Sequence, residues 1–315
     1  MASSATSPEF RLGLVGAGRM GQTHLRALES STDVAVVSVA EPVDALREHV
    51  ESAFGVQGFS SLGDMLDSGG LEGALIVTPS DSHVDVIGKV ADAGLPILCE
   101  KPCGVSPEDT RHAQTIVETA GVALQIAYWR RFVPELQTLR ERITNGDFGD
   151  VLSVSCLQWD GEPPATTFRA RSGGIFVDMG VHEFDQARWL IGGDFTHSLA
   201  LAAPSGVALE DGFDPDSAQV LASLSGGAVV LVSLGRHYAG GDMASVEVFG
   251  TRDHVLLEFL KPEDGEREQL EALRRQASAF AEYATGGACR GATVGDAIAA
   301  LEAATAAKAQ TSTSR

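Results

Sequence analysis

Gly16-Ala-Gly-Arg-Met-Gly21 constrains this 315-residue chain more than any other segment, because it directly follows the apolar run Leu12–Val15 and opens a helix-prone stretch. In that setting each glycine of a G-x-G-x-x-G turn has a positional task. The first makes the tight turn, the second lets backbone approach a pyrophosphate, and the third packs helix on strand. The free N–H groups of the helix start then face the anion. Glu41 stands twenty residues beyond Gly21, at the end of the second β-branched run. A carboxylate there accepts hydrogen bonds from both ribose hydroxyls of NAD and repels the 2′-phosphate of NADP, so NAD is the expected cofactor and NADP the lesser one. Arg19 and Met20 sit in the same loop, whereas Arg47 falls too far along the next helix to build a 2′-phosphate pocket.

From Phe10 to about residue 128, short apolar runs alternate with helix-like stretches. That rhythm predicts a doubly wound parallel sheet of Rossmann type, with strands at Leu12–Val15, Val34–Ala40, Ala74–Val77, Ile97–Cys99 and Val122–Ala127. One helix is expected over Asp81–Ala93, capped by Asp81 and closed before Gly94, and another after Ser106-Pro107. Ligands bind at the carboxyl ends of such strands, which brings Thr78-Pro79-Ser80 and Glu100-Lys101-Pro102 to the site. Lys101, fixed by the following proline, can set its ammonium beside a substrate hydroxyl, although taken alone it also reads as a surface cation paired with Glu100.

Residues 129–315 change rhythm and predict a second, α+β domain that binds substrate and mediates assembly. A helix is expected over about Phe132–Thr144, a strand over Val151–Trp159, a helix over Gly174–Leu190, and several alternating strands between His197 and Phe259. These strands should pair mostly antiparallel in an open sheet, one face under helices and the other free for a partner subunit, giving a homodimer or homotetramer. The Ala-rich tail from Gln269 is helix-prone and broken at Gly286-Gly287, and its last helix, about residues 292–310, is placed back on the first domain. Residues 1–9 read as a frayed leader.

Composition removes several alternatives. With 23 Lys+Arg against 43 Asp+Glu the net charge is −20, which repels nucleic acid and anionic membrane. No apolar run approaches the roughly 18 residues of a membrane span, and the start lacks a signal-peptide pattern, so a cytoplasmic protein is expected. Cys99, Cys103, Cys156 and Cys289 contain only one close pair, without the partners of a zinc site. No metal is expected.

The most chemically loaded stretch of the second half is Ser172 to Leu190, which includes Asp178, His182 and Asp185. On one helix, Asp178 and His182 are i,i+4 neighbours, so the carboxylate can orient the imidazole as a general base titrating near working pH; the same spacing also describes an ordinary helix-surface ion pair. His182-Glu183 begins like H-E-x-x-H but ends on Gln186, which fails as a zinc motif. Trp129 and Arg130, at the expected domain junction, are candidates to line the cleft or to pack between domains. Arg169 and Arg171 precede the Asp178 helix and reach toward substrate or solvent, and His237 and Tyr238 are weaker candidates.

Together the Gly16–Gly21 loop, Thr78-Pro79 with His83 in the next helix, Glu100-Lys101-Pro102 and Asp178-x-x-x-His182 resemble the glucose–fructose oxidoreductase/inositol dehydrogenase family. Within it, Arg130-Arg-Phe-Val-Pro134 and Gly173 to Asp185 are most similar to myo-inositol 2-dehydrogenases. The resemblance implies Lys101, Asp178 and His182 around a reacting ring hydroxyl whose hydride passes to nicotinamide, on a cyclitol or sugar such as myo-inositol. It leaves open an inosose or keto-sugar reductase running the other way, and a non-catalytic dinucleotide-dependent sensor. His237-Tyr-Ala-Gly-Gly-Asp242 departs from the tyrosine pattern of inositol dehydrogenases, which touches substrate identity.

Overall fold

The computed structural model describes residues 10–210 and 212–312; the leader expected over residues 1–9 lies outside them. Six strands form the first sheet: β1 (Phe10–Val15), β2 (Val34–Ala40), β3 (Gln57–Phe59), β4 (Gly73–Ile76), β5 (Ile97–Cys99) and β6 (Leu124–Ile126). All pair parallel in the order β3-β2-β1-β4-β5-β6. Because both faces are covered, the strands are apolar almost throughout. Leu12, Leu14, Leu75 and Leu98 point into one layer, and Ala74, Ile76, Ile97 and Ile126 into the other. Between them run α1 (Arg19–Leu28), α2 (Asp44–Phe54), α3 (Leu62–Asp67), α4 (His83–Asp92) and α5 (Pro107–Ala120).

Local sequence explains most of these boundaries. Ser106 and Asp109 form a reciprocal capping box with Pro107 in the first turn of α5, and Gly121 closes it at φ 70°. The third strand, β3, carries no apolar run, since it is three residues long with a central glycine. The expected Asp81 cap is absent: a short 3₁₀ turn over Ser80–Ser82 precedes α4, and the Asp81 carboxylate pairs with Arg171 instead.

The second half contains α6 (Pro134–Thr144), β7 (Val151–Trp159), α7 (Thr166–Arg169), α8 (Ile175–Asp178) and α9 (Gly180–Ile191). Seven strands follow, β8 (Phe195–Ala202), β9 (Gly206–Leu209), β10 (Gly212–Pro215), β11 (Ser217–Leu224), β12 (Val229–Gly235), β13 (Met243–Gly250) and β14 (His254–Leu260), then α10 (Gly265–Ala284) and α11 (Val294–Ser312). The large sheet has the order β14-β13-β7-β12-β11-β8. Its neighbours are antiparallel except β7 and β12, which meet parallel in the middle because they are far apart in sequence and no hairpin links them. Val154, Val220, Val232 and Val246 are buried on one face, while Leu199, Leu201, Leu221, Leu231 and Leu256 stand exposed on the strands. The tail ties the halves together: Phe280 of α10 meets Phe10 edge to face, and α11 packs on α5 as well as on α9 and β8.

One difference from the sequence expectation governs the chemistry. The stretch Gly174–Leu190 is two helices, broken at Met179 (φ −96°, ψ −52°). Across the break the His182 N–H donates to Met179 O at 3.0 Å, the i−3 carbonyl, and not to the i−4 carbonyl of Asp178. The Asp178 carbonyl is therefore left for another donor.

Candidate active site

The carboxyl ends of β1, β2, β4 and β5 open on a cavity of about 1030 Å³, whose far wall is Pro164, Ala165 and Phe168 from the segment around α7. It lies at the switch point between β1 and β4, where doubly wound sheets take their ligands. Gly16, Gly18, Arg19, Met20, Glu41, Thr78, Pro79, Ser80, His83, Glu100, Lys101 and Asp178 all line it.

The three glycines do different things. Gly16 has φ 101°, and a Cβ there would meet Val77 O at 2.8 Å; one on Gly21 would meet Gly16 O at 2.2 Å. Both are required by the turn itself. A Cβ on Gly18 meets nothing within 4 Å, so its bareness leaves room for a ligand against the backbone. That cradle, at the N-terminus of a ten-residue helix, fits the pyrophosphate of a dinucleotide. Glu41 braces the rim, Oε2 accepting from Ala17 N at 2.8 Å and Oε1 from Val43 N at 2.9 Å. Each carboxylate oxygen keeps a lone pair for a ribose hydroxyl. Arg47 reaches closer than its sequence position suggests, but its guanidinium is engaged by Glu41 O and Asp44.

Behind the loop, buried side chains join strand ends. His83 sets Nδ1 2.8 Å from Pro102 O and Nε2 2.8 Å from Thr78 O, tying the two segments after β4 and β5. Burial lowers its pKa, and the neutral ring donates to only one of these carbonyls. His24 of α1 lies 2.8 Å from Glu100 Oε1, and Glu100 Oε2 accepts from Lys101 N at 3.1 Å. Sequence reasoning did not find His24, a lone histidine inside a helix.

Lys101 donates from Nζ to Asp178 O at 2.9 Å, the carbonyl released by the helix break, and sits 3.6 Å from Asp178 Oδ1. The other carboxylate oxygen faces Arg236, at 3.4 and 3.5 Å from its two terminal nitrogens. The expected Asp178–His182 pair is thus replaced by a Lys101–Asp178–Arg236 row, because the kink turns the two residues out of helical register. His182 is buried with its ring edge to face with Tyr128 at 5.8 Å, and its Nδ1 has no hydrogen-bond partner among the described residues. Burial, then the charges of Lys101 and Arg130, hold its pKa well below the usual imidazole range instead of near working pH. The ring is held neutral, and the same burial and neighbouring charges weaken it as a proton acceptor in the free protein.

Three substrate candidates are spent elsewhere. Arg130 is buried on Glu183, with Nη1 2.7 Å from both carboxylate oxygens, and reaches Gln158 at 2.6 Å. Arg169 is buried on Asp214 (2.5 Å), Asp216 (2.9 Å) and the Asp214 carbonyl (2.7 Å). Trp129 is packed in the core. None of them lines the cavity, and neither does the buried His182 ring; of the expected catalytic residues Lys101 and Asp178 do. Arg171 forms a two-pronged pair with Asp81 across the two halves (2.8 and 2.9 Å), and His237 and Tyr238 are exposed. Arg236 was missed; its signal is one arginine directly after the apolar run Val229–Gly235.

Comparison with known proteins adds the lineage. A family model described as oxidoreductase family, NAD-binding Rossmann fold, matches residues 10–128, and one described as GFO/IDH/MocA C-terminal domain matches residues 136–255. The rhizopine catabolism protein MocA of Rhizobium meliloti is 50% identical over 298 residues, 95% of this chain and 94% of its own length. An inositol 2-dehydrogenase of Rhizobium meliloti strain 1021 is 33% identical, with 80% and 76% covered. A crystal structure from Sinorhizobium meliloti 1021, provisionally assigned as a myo-inositol dehydrogenase, superposes with a TM-score of 0.88 at 29% identity, covering 97% of this chain and 98% of that one.

Proposed function

Because the chain belongs to the GFO/IDH/MocA family of NAD-binding oxidoreductases, we propose that it oxidises one ring hydroxyl of a cyclitol, with conversion of myo-inositol to an inosose as the reference reaction. The observation that carries this reading is the Lys101 ammonium, held by Asp178 on the wall of the same cavity that contains the glycine loop and Glu41. Bound NAD supplies the hydride acceptor. Neutral His182 takes the hydroxyl proton, Lys101 donates a hydrogen bond to the oxygen as negative charge develops there, and Asp178 keeps the ammonium aimed. Run backward, the same groups return the proton to a ketone. The exposed leucine face of the large sheet is read as the surface where two copies pair, into a homodimer or homotetramer.

A second reading, that the substrate is rhizopine, is favoured by the 50% identity to the relative named for its catabolism. Both readings are tested by NADH or NADPH formation with NAD or NADP, respectively, and a panel of myo-, scyllo- and chiro-inositol, rhizopine, glucose, xylose and galactose. Turnover of an inositol with NAD supports the first, and turnover of rhizopine alone supports the second. Silence across the panel, with NADH still bound, overturns both and leaves a sensor or a keto-sugar reductase.

A further inference from the structure

A row of six alternating charges crosses the second half of the protein and ends in the cavity: Asp216, Arg169, Asp214, Arg236, Asp178 and Lys101. Its links are unequal. Arg169 grips Asp214 through bonds of 2.5 and 2.7 Å, and Asp214 Oδ1 also accepts the Ile175 N–H at 2.7 Å, fixing the start of α8. That end of the row is a structural clamp. Arg236 is different. Its side chain is wholly buried, yet its contacts to Asp178 and Asp214 are 3.4–3.5 Å, and its Nε has no hydrogen-bond partner among the described residues. Burying a guanidinium for contacts this long is a poor way to hold a fold together, since desolvation outweighs weak hydrogen bonds. What the placement does supply is a positive charge and a fork on the far side of Asp178 from Lys101.

We propose that Arg236 is the positioning residue of the reaction, its fork holding the Asp178 carboxylate between itself and Lys101 so that the ammonium stays directed at the reacting oxygen. The charged groups that bear on this point are Asp178 on α8, Asp214 on β10, Lys101 after β5 and Asp160 after β7. Asp160 bears on it because burial, and then the Asp242 and Asp178 carboxylates, raise its pKa, while the Gln158 hydrogen bond and the Arg236 charge oppose the rise. Without Arg236, Asp178 faces Asp160 unshielded on one side and Lys101 on the other, and its full charge falls on the ammonium. A lysine keeps the charge but is a single point, unable to bridge Asp178 and Asp214 as the fork does.

The inference rests on the proposed hydride transfer, so its test carries one readout that does not need turnover. Arg236→Lys and Arg236→Met are compared with the wild type for kcat and KM, for NADH binding by fluorescence, and for the rate at which trinitrobenzenesulfonate labels Lys101, followed on its peptide by mass spectrometry. Arg236→Met is expected to lower kcat about 100-fold and Arg236→Lys about 10-fold, with NADH binding within about twofold of wild type. Lys101 labelling slows several-fold in the methionine variant, because the ammonium is drawn onto the Asp178 carboxylate that Arg236 no longer shares. Should Arg236→Met fail to fold, Arg236→Lys decides alone. Wild-type kcat and labelling in Arg236→Lys, or a loss in Arg236→Met confined to melting temperature, overturns the proposal. If the wild type turns over no member of the panel, the reaction assignment fails, and labelling still reports whether Arg236 governs Lys101.

Discussion

The two walls of the cavity are built by different means. On the dinucleotide side, the contacts belong to backbone and to residues adjacent in sequence: the glycine loop, the start of α1, and the ends of β2, β4 and β5. On the reacting side, Lys101 and Asp178 line the cavity while the buried His182 and Arg236 do not; the four come from separate elements, and their relations depend on a helix break and on buried charges. A wall made of backbone is set by local sequence and changes little with any one side chain. The side-chain wall is set by packing, and single substitutions alter its chemistry with the fold left standing.

The largest expected effect falls on the reacting side. His182→Gln keeps a polar side chain but removes the proton acceptor, and should lower kcat by about 10²–10⁴-fold while NADH fluorescence titration stays near wild type. If NADH binding falls in parallel, the two walls are not separable. Next is a pair of glycine variants on the opposite wall. Gly21→Ala drives a Cβ to 2.2 Å from Gly16 O and should destabilise the protein by roughly 1–3 kcal/mol in urea unfolding. Gly18→Ala has space in the free protein, so its stability holds and only NADH affinity falls. Equal loss of stability in both would remove the distinction between a glycine for the turn and one for the ligand.

A third test uses pH. Burial holds His83 and His182 below the usual imidazole range, so below about pH 6.5 the unfolded chain takes protons that the folded one refuses. Their stabilising contribution is complete above that value and is lost as pH falls beneath it. Between pH 7.5 and 5.5, the drop in unfolding free energy should be smaller in His182→Gln than in wild type. An identical drop would mean that His182 is protonated in the folded protein. The smallest effect concerns the pair that bridges the walls: Asp81→Asn breaks the exposed contact with Arg171 and should change stability by less than about 1 kcal/mol, with any kinetic change appearing in the NADH release rate and not in the isotope effect on hydride transfer.

How much the sequence discloses follows the same division. The glycine loop, Glu41 and the segments after β4 and β5 are readable because each function belongs to a short stretch whose flanking strand and helix are readable too. The spacing of Asp178 and His182 predicts a pair, but i,i+4 spacing has meaning only on an unbroken helix, and nothing in Val177-Asp-Met-Gly180 requires the break at Met179. Arg130 and Arg169 carry the right charge in the right region and are buried on Glu183 and Asp214, partners 53 and 45 residues away. Arg236 and His24 were invisible for a related reason, since a buried cation or imidazole acquires its meaning only from the residue facing it. The parallel β7–β12 pair likewise arises from topology, with no local pattern to mark it.

The separation of the two walls is the central claim, and Lys101 tests it most directly because it lines the cavity and holds the reacting side through Asp178. NADH affinity and NADH formation should be measured side by side in Lys101→Met and wild type. The account predicts NADH affinity within a few-fold and turnover lowered by at least about 10³. Substantial turnover in the variant, or loss of NADH binding together with turnover, would contradict it.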